Sequence, residues 1–160
     1  MKVVPTLEGG LKIDVETATD WLVLEQIPGD AMDNGAEGLP ERLGALMDDD
    51  CDWDEVVIPE LKTFFSGQLR RVREVLKQAQ DEAGDDGDDD AGAVFIGRED
   101  AGDWYGALNQ ARLSLETRYK FGPTDGIESL EAFPEAKRSA FIRSQFYCAL
   151  QSILLEYVLD

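Results

Sequence analysis

The chain has 160 residues, 43% of them hydrophobic, no histidine, and a formal net charge of −19. This length fits a single domain over residues 1–160 with a buried core, and the negative charge disfavours binding to nucleic acid and to anionic membrane surfaces. Without histidine, Ser-His and Cys-His nucleophile pairs are impossible within this chain and the most common metal ligand is missing, so we expect no catalytic residues, no metal site and no cofactor.

The sequence also gives expectations about the compartment. No apolar run reaches the roughly 18 residues of a membrane span, and the first residues lack the apolar segment of a secretory signal. Cys51 and Cys148 have no metal-type spacing, and free thiols in a reducing compartment are the simplest interpretation. We therefore expect a cytoplasmic protein.

Residues 3–15 predict a small β-hairpin. Gly9 and Gly10 lie between two short apolar runs, which is a turn signal between paired strands. Pro5 cannot donate a backbone hydrogen bond, so the first strand is expected to be short or to lie at a sheet edge.

The next predicted element is a short helix over residues 21–27. Thr17 and Asp20 have the spacing of a hydroxyl N-cap and an early acid, which favours a helix start. Pro28 and Gly29 are expected to end this helix, because proline and glycine commonly follow the last helical turn.

A long amphipathic helix is the clearest structural prediction. Proline and glutamate at 59 and 60 suit a helix start, and the helical periodicity continues for about 25 residues. The predicted core face comprises Leu61, Phe64, Phe65, Gln68, Leu69, Val72, Val75, Leu76 and Ala79, and the opposite face comprises Lys62, Ser66, Arg70, Arg73 and Lys77. We interpret this basic stripe as a solvated face, with a binding surface as the alternative. A shorter helical turn is expected upstream, at Pro40.

An acidic segment, residues 84–92, follows the long helix. Its aspartates repel one another and bury little apolar surface, so we expect a flexible loop. The spacing of its acids matches no ordered calcium-binding loop. The apolar run 93–96 is bounded by glycines and predicts a strand that joins the N-terminal hairpin.

Residues 101–119 predict the central helix of the fold. One face is apolar and comprises Ala101, Trp104, Leu108, Ala111, Leu115 and Tyr119, whereas the far side carries Gly102, Gly106, Asn109 and Leu113. Glycine inside a helix costs roughly 1 kcal/mol relative to alanine, so two glycines four residues apart suggest that another backbone approaches closely there. We therefore expect a helix that is buried on two faces.

The same helix holds the candidate binding residues Trp104, Asn109, Arg112 and Arg118. Two arginines near an amide suit the recognition of a carboxylate or another anion. Buried arginine and asparagine side chains also need partners inside a protein. The favoured interpretation is an internal network that fixes helix docking, and an anion-binding site is the alternative.

The central helix also contains the pattern W-x-x-x-L-N-x-x-R-L-x-L-x-x-R, from Trp104 to Arg118. This pattern resembles the core motif of a bacterial family known only as a domain of unknown function. Gln110 and Glu116 depart from that motif, which has an acid and a glycine at these two positions. The resemblance implies no established activity. It does imply a link to Clp-type proteolysis, because members of the family are often encoded near a Clp-protease adaptor.

The last predicted helix begins at Pro134 and Glu135. Its apolar stripe is wider than half of the helix and comprises Ile142, Phe146, Ala149, Leu150, Ile153, Leu154, Tyr157 and Val158. Such a stripe indicates burial against two neighbours or a homodimer seam. Arg143 lies on this apolar side, so it needs a carboxylate partner or an exit to the rim.

These elements predict a mainly α fold, a bundle of three to five helices with a small N-terminal β-hairpin that the strand at 93–96 joins. The leading functional hypothesis is a cytoplasmic, non-catalytic interaction or regulatory protein with a protein partner. The alternatives are a small-molecule or anion-binding module that uses Asn109, Arg112 and Arg118, and an acidic mimic of nucleic acid. Solubility alone also explains the net charge.

Overall fold

The computed structural model describes residues 1–32, 38–46, 52–85, 90–123 and 130–160. Within these ranges the chain forms three strands, β1 (Lys2–Pro5), β2 (Leu11–Val15) and β3 (Gly92–Ile96). The helices are α1 (Ala18–Ala31), α2 (Leu39–Gly44), α3 (Ile58–Asp85), α4 (Ala101–Tyr119) and α5 (Glu135–Tyr157). A π-helical turn, Trp53–Val57, leads directly into α3. The predicted mainly α fold with a small β element is confirmed.

The three strands form one antiparallel sheet in the order β1-β2-β3. The central strand β2 pairs Ile13 with Val3 on one side and with Val94 on the other. Its side chains alternate, so that Leu11, Ile13 and Val15 enter the core. The predicted hairpin is confirmed, as is the strand that joins it.

Helix α1 begins as its sequence predicts and ends later. The Thr17 hydroxyl accepts a hydrogen bond from the Asp20 backbone N–H at 3.2 Å, and the Asp20 carboxylate accepts one from the Thr17 N–H. The predicted stop at Pro28 is wrong, because the helix continues to Ala31. A proline inside a helix removes a single backbone hydrogen bond. The last turn of α1 is bound to α5 through the side chain of Asp30, as described below.

Helix α3 has the predicted amphipathic pattern, with Leu69, Val72 and Leu76 buried and the basic stripe exposed. Phe64 is an exception, because 59% of it is exposed instead of buried. It lies about 80° around the helix axis from Val72, at the edge of the apolar stripe. The neighbouring helices cover the centre of that stripe and leave this edge in solvent.

Helix α4 is the centre of the bundle and packs against α1, α3 and α5. The predicted apolar face is confirmed for Ala101, Trp104, Leu108, Ala111 and Leu115, which have no solvent exposure. The second buried face differs from the prediction. It consists of Ala107, Gln110 and Ser114, whereas Gly102 is exposed and Leu113 is 40% exposed. Three neighbouring helices cover more than one side of α4, and the glycine row lies outside most of that area.

Helix α5 begins at the predicted position and has a narrower buried stripe than expected. Tyr147, Leu150 and Leu154 are buried, whereas Ile142 and Tyr157 are 54% and 51% exposed. Its main neighbour is α4, so one helix covers the centre of the stripe and its edges remain in solvent. The proposed homodimer seam stays a prediction.

Some expectations concern residues outside the described ranges. Cys51 and residues 86–89 of the acidic segment are among them, while α3 continues through Asp85 and β3 begins at Gly92. Cys148 is a free, half-buried thiol. Among the described helices, none combines the length and the apolar character that crossing a membrane requires.

Candidate functional site

The four residues of α4 predicted to bind a ligand do not come together in one place. Arg112 and Arg118 are separated by about 9 Å along the helix axis and about 120° around it, so their side chains leave α4 in different directions. Trp104 is fully buried, Asn109 is half-buried, and the exposed Arg118 lies beside the Tyr119 ring, 5.9 Å from its centre.

The hydrogen bonds of Arg112 are internal to the fold. Its Nη1 donates to Gln151 Oε1 at 2.5 Å, and Gln151 Nε2 donates to the Tyr105 carbonyl at 3.2 Å. Gln151 is 3% exposed, so this bridge between α4 and α5 is shielded from water. Arg112 Nε is buried and has no acceptor within the described residues. These contacts match the internal-network interpretation of Arg112, and the anion-binding alternative stays a prediction.

A buried ion pair joins α1 to α5. Arg143 donates from Nε and Nη2 to the two Asp30 carboxylate oxygens at 2.7 and 2.9 Å, and the Tyr147 hydroxyl donates to Asp30 at 2.7 Å. The Asp30 side chain is 4% exposed and that of Arg143 is 18% exposed. The hydrogen bonds to Asp30 raise the pKa of Arg143, and burial raises the pKa of Tyr147. The predicted carboxylate partner of Arg143 is thereby found.

Sequence reasoning missed Asp30 itself. It lies in a stretch rich in glycine and aspartate that resembles a loop, and its partner is 113 residues away. No local pattern connects these two positions. The only sequence signal is Arg143 itself, because its place on an apolar face requires an acid somewhere in the fold.

Two further polar contacts fasten α3 to α4. Arg71 donates to both carboxylate oxygens of Asp100 at 2.6 and 3.0 Å, which raises the pKa of Arg71. Nearly three helical turns further along, Gln110 of α4 donates to Gln68 Oε1 at 2.9 Å. A Cβ at Gly106 would collide with the Gln68 amide, so this glycine admits a neighbour, as predicted, although the neighbour is a side chain and not a backbone.

The outer face of α3 differs from the rest of the surface in charge. Residues 62–77 contain five of the fifteen basic residues of the chain and one of its thirty-four acidic residues. We use the term "α3 outer face" for Phe64, Gly67, Arg70, Arg73 and Lys77. A cleft of about 640 Å³ runs along it towards α4, and its lining comprises Thr63, Phe64, Gly67, Gln68, Arg70, Arg71, Glu74 and Asp103.

Gly67 is at the floor of this cleft, in the middle of a long helix. Glycine at such a position costs roughly 1 kcal/mol relative to alanine. A Cβ added at Gly67 would meet no atom within 4 Å among the described residues. Gly106 is explained by packing inside the fold, whereas Gly67 has no such explanation.

The family model described as "Domain of unknown function (DUF2017)" matches residues 39–158, three quarters of the chain. The chain belongs to this family. The predicted resemblance to a family of unknown function is thereby confirmed at the level of the family. No curated protein and no solved structure matches the chain.

The DUF2017 region contains the whole of the α3 outer face and its cleft. A second groove, of about 500 Å³, lies between α1 and α5 with Leu22 and Ile142 at its rim. Its α1 wall precedes the matched region, so this groove is only partly built from family residues. In the described part of the chain, no group of three or more cysteine, aspartate and glutamate side chains is arranged to hold a metal ion.

Proposed function

We propose that this DUF2017 protein is a non-catalytic interaction protein that binds a protein partner through the α3 outer face. The observation that carries this proposal is Phe64, a large aromatic residue that is 59% exposed beside an open cleft. Aromatic residues and arginine are the side chains most enriched in protein interfaces. Here Phe64 and Arg70 both line the cleft, about 9 Å apart along α3 and about 120° apart around its axis.

The state of the other polar groups supports this proposal. The buried carboxylates of Asp30 and Asp100 are each bonded to an arginine, and the buried amide of Gln110 is bonded to Gln68. Groups that are fully engaged with one another stabilise a fold and are not free for proton transfer to a substrate. The α3 outer face, which is aromatic and basic, therefore remains available to an external partner.

The family resemblance guides the choice of partner. It implies a link to Clp-type proteolysis, so we include components and adaptors of Clp-type proteases among the partners to be tested. A regulatory role in that setting belongs to the same proposal.

Position-specific photocrosslinking tests the proposal. A photoreactive amino acid replaces Thr63, which lines the cleft, and in a control protein it replaces Ser152, which is exposed on α5. We expect a discrete adduct with one cellular protein from position 63 and none from position 152. The adduct should disappear when Phe64→Ser is added. Equal adducts from both positions, or none from position 63, would contradict an interaction through this face.

A further inference from the structure

We propose that the α3 outer face binds an acidic segment of its partner, one that carries aliphatic side chains between its acids. This inference rests on the proposed function and specifies the chemistry of the partner. Three features of the face carry it, namely its charge, its aromatic residue and its glycine.

The charge of the face is opposite to that of the protein. Residues 62–77 carry a net charge of +4, from five basic residues and one acid, within a chain of −19. Arg70, Arg73 and Lys77 are all exposed and follow one another along one side of α3 over about 10 Å. An extended peptide covers this distance in about three residues. Two carboxylates with that spacing therefore match both ends of the row.

The internal ion pairs define which cations remain for a partner. Arg71 is bonded to Asp100 and to Glu74, and Lys62 is bonded to Glu41. Arg73 donates to the Met32 sulfur at 2.8 Å, which leaves Arg70 and Lys77 as the cations of the row with neither an ion pair nor a side-chain hydrogen bond within the described residues. Asp103 lines the cleft from α4 and Glu74 lines it from α3, so the acids of the partner are directed away from Asp103 and towards Arg70.

Phe64 and Gly67 provide the apolar part of the site. Phe64 borders the cleft, about 120–180° around the helix axis from the basic row, and an aliphatic side chain of the partner can cover its exposed ring. At Gly67 nothing lies within 4 Å of an added Cβ. The backbone of a partner can therefore approach α3 closely at this position, which gives the glycine a function that the isolated fold does not.

Nucleic acid suits the face less well than an acidic peptide. A duplex extends far beyond one helix face and would meet the rest of a surface with a net charge of −19. A short peptide confines its charge to the basic row, so most of that repulsion is avoided. The aliphatic contact with Phe64 adds a feature that a phosphate backbone cannot supply.

Fluorescence anisotropy with defined peptides tests the inference. The probe is a fluorescein-labelled peptide with four Asp-Glu-Leu repeats, and its counterparts carry Lys-Lys-Leu or Asp-Glu-Ser repeats. We expect the acidic aliphatic peptide to bind about tenfold more tightly than either counterpart. Binding should weaken when salt rises from about 0.1 M to about 1 M, because the Debye length falls from about 10 to about 3 Å.

Matched variants locate the binding on α3. The double variant Arg70→Glu with Lys77→Glu should weaken binding of the acidic peptide by about tenfold or more. The control, Lys2→Glu with Arg118→Glu, changes the net charge equally at two exposed positions and should bind like the unmodified protein. Gly67→Leu should block the cleft without a fall in melting temperature, since its side chain enters open space.

The outcomes separate this inference from the proposed function. A crosslinked partner at position 63 together with equal affinity for all three peptides would refute the acidic-segment chemistry and leave the interaction role intact. Tighter binding of a DNA duplex than of the acidic peptide would overturn the inference in favour of nucleic acid. Self-association in sedimentation that Arg70→Glu and Lys77→Glu abolish would identify a second copy as the occupant and also overturn it.

Discussion

Replacing Asp30 by asparagine tests whether the buried ion pair holds α1 to the bundle. Asp30→Asn keeps the size of the side chain and removes its charge, which leaves the guanidinium of Arg143 without its counter-ion. Breaking a buried ion pair from one side costs about 3–5 kcal/mol. Arg143 retains 18% exposure and can partly reach water, so we expect about 3 kcal/mol. For a chain of this size that loss lowers the melting temperature by about 6–12 °C.

Urea unfolding followed by circular dichroism measures this loss, and the slope of the transition should not change. The control is Asp100→Asn, because its partner Arg71 makes the same two-pronged contact but is 41% exposed. Solvent screens that pair, so we expect a loss of at most about 1 kcal/mol. Adding Arg143→Met to Asp30→Asn should restore most of the stability, since it removes the uncompensated charge. Equal losses at Asp30 and Asp100 would refute the reasoning from burial.

Three further predictions follow from the fold. Burial raises the pKa of Tyr147 above the ordinary value of about 10, so its stabilising contribution is complete below pH 10 and is lost above it, as the unfolded state ionises first. Between pH 9 and 11.5, the unfolding free energy of the unmodified protein should therefore fall more steeply than that of Tyr147→Phe, by up to about 1.4 kcal/mol per pH unit. Parallel plots of unfolding free energy against pH for the two proteins would show that the fold does not raise the pKa of this phenol. Gly106→Ala should lower the unfolding free energy by about 1–3 kcal/mol, because the Gln68 amide must move. Gly102→Ala places its methyl group in open space and should leave the unfolding free energy unchanged or raise it by up to about 1 kcal/mol. Equal melting temperatures of the two variants would contradict this packing argument. Arg112→Met combined with Gln151→Met should change the unfolding free energy by less than about 1.5 kcal/mol, because both polar partners are removed together, and a much larger loss would show that Arg112 has contacts beyond this bridge.

Local sequence signals predicted the elements whose cause is local. The Thr17 and Asp20 pair marked the start of α1, the alternation of Leu11, Ile13 and Val15 matched β2, and helical periodicity identified α3. In each case the determining contacts lie within a few residues along the chain. A hydrogen bond from a neighbouring backbone group or a repeat of apolar side chains is sufficient.

The errors concern how widely each helix is covered by its neighbours. Periodicity places Phe64, Ile142 and Leu113 on helix faces correctly, but it does not give the width of the contact that covers each face. All three residues lie at the edges of buried stripes and are exposed. The stop expected at Pro28 failed for a related reason, since the last turn of α1 is held by α5, which is remote in sequence.

The sequence places the candidate binding residues on α4, whereas the proposed interface lies on α3, for the same physical reason. Arginine and tryptophan are common in binding sites, yet the place of Arg112 and Trp104 in the bundle turns both side chains inward. The sequence shows the basic stripe of α3 but indicates a solvated face. Its distinguishing features, the exposed ring of Phe64 and the open space at Gly67, depend on the position of α4.

The link between Asp30 and Arg143 also sets an order of events during synthesis. The two residues are 113 positions apart, so at about 5–20 residues per second roughly 6–23 seconds separate their emergence from the ribosome. For most of this interval the apolar side chains of β2 and α1 lack α4, which ends at Tyr119, and such uncovered surfaces are prone to aggregation. Helix α5 therefore completes the described bundle, and a nascent chain that stalls before α5 leaves Asp30 without Arg143 and the α5-facing side of α4 uncovered.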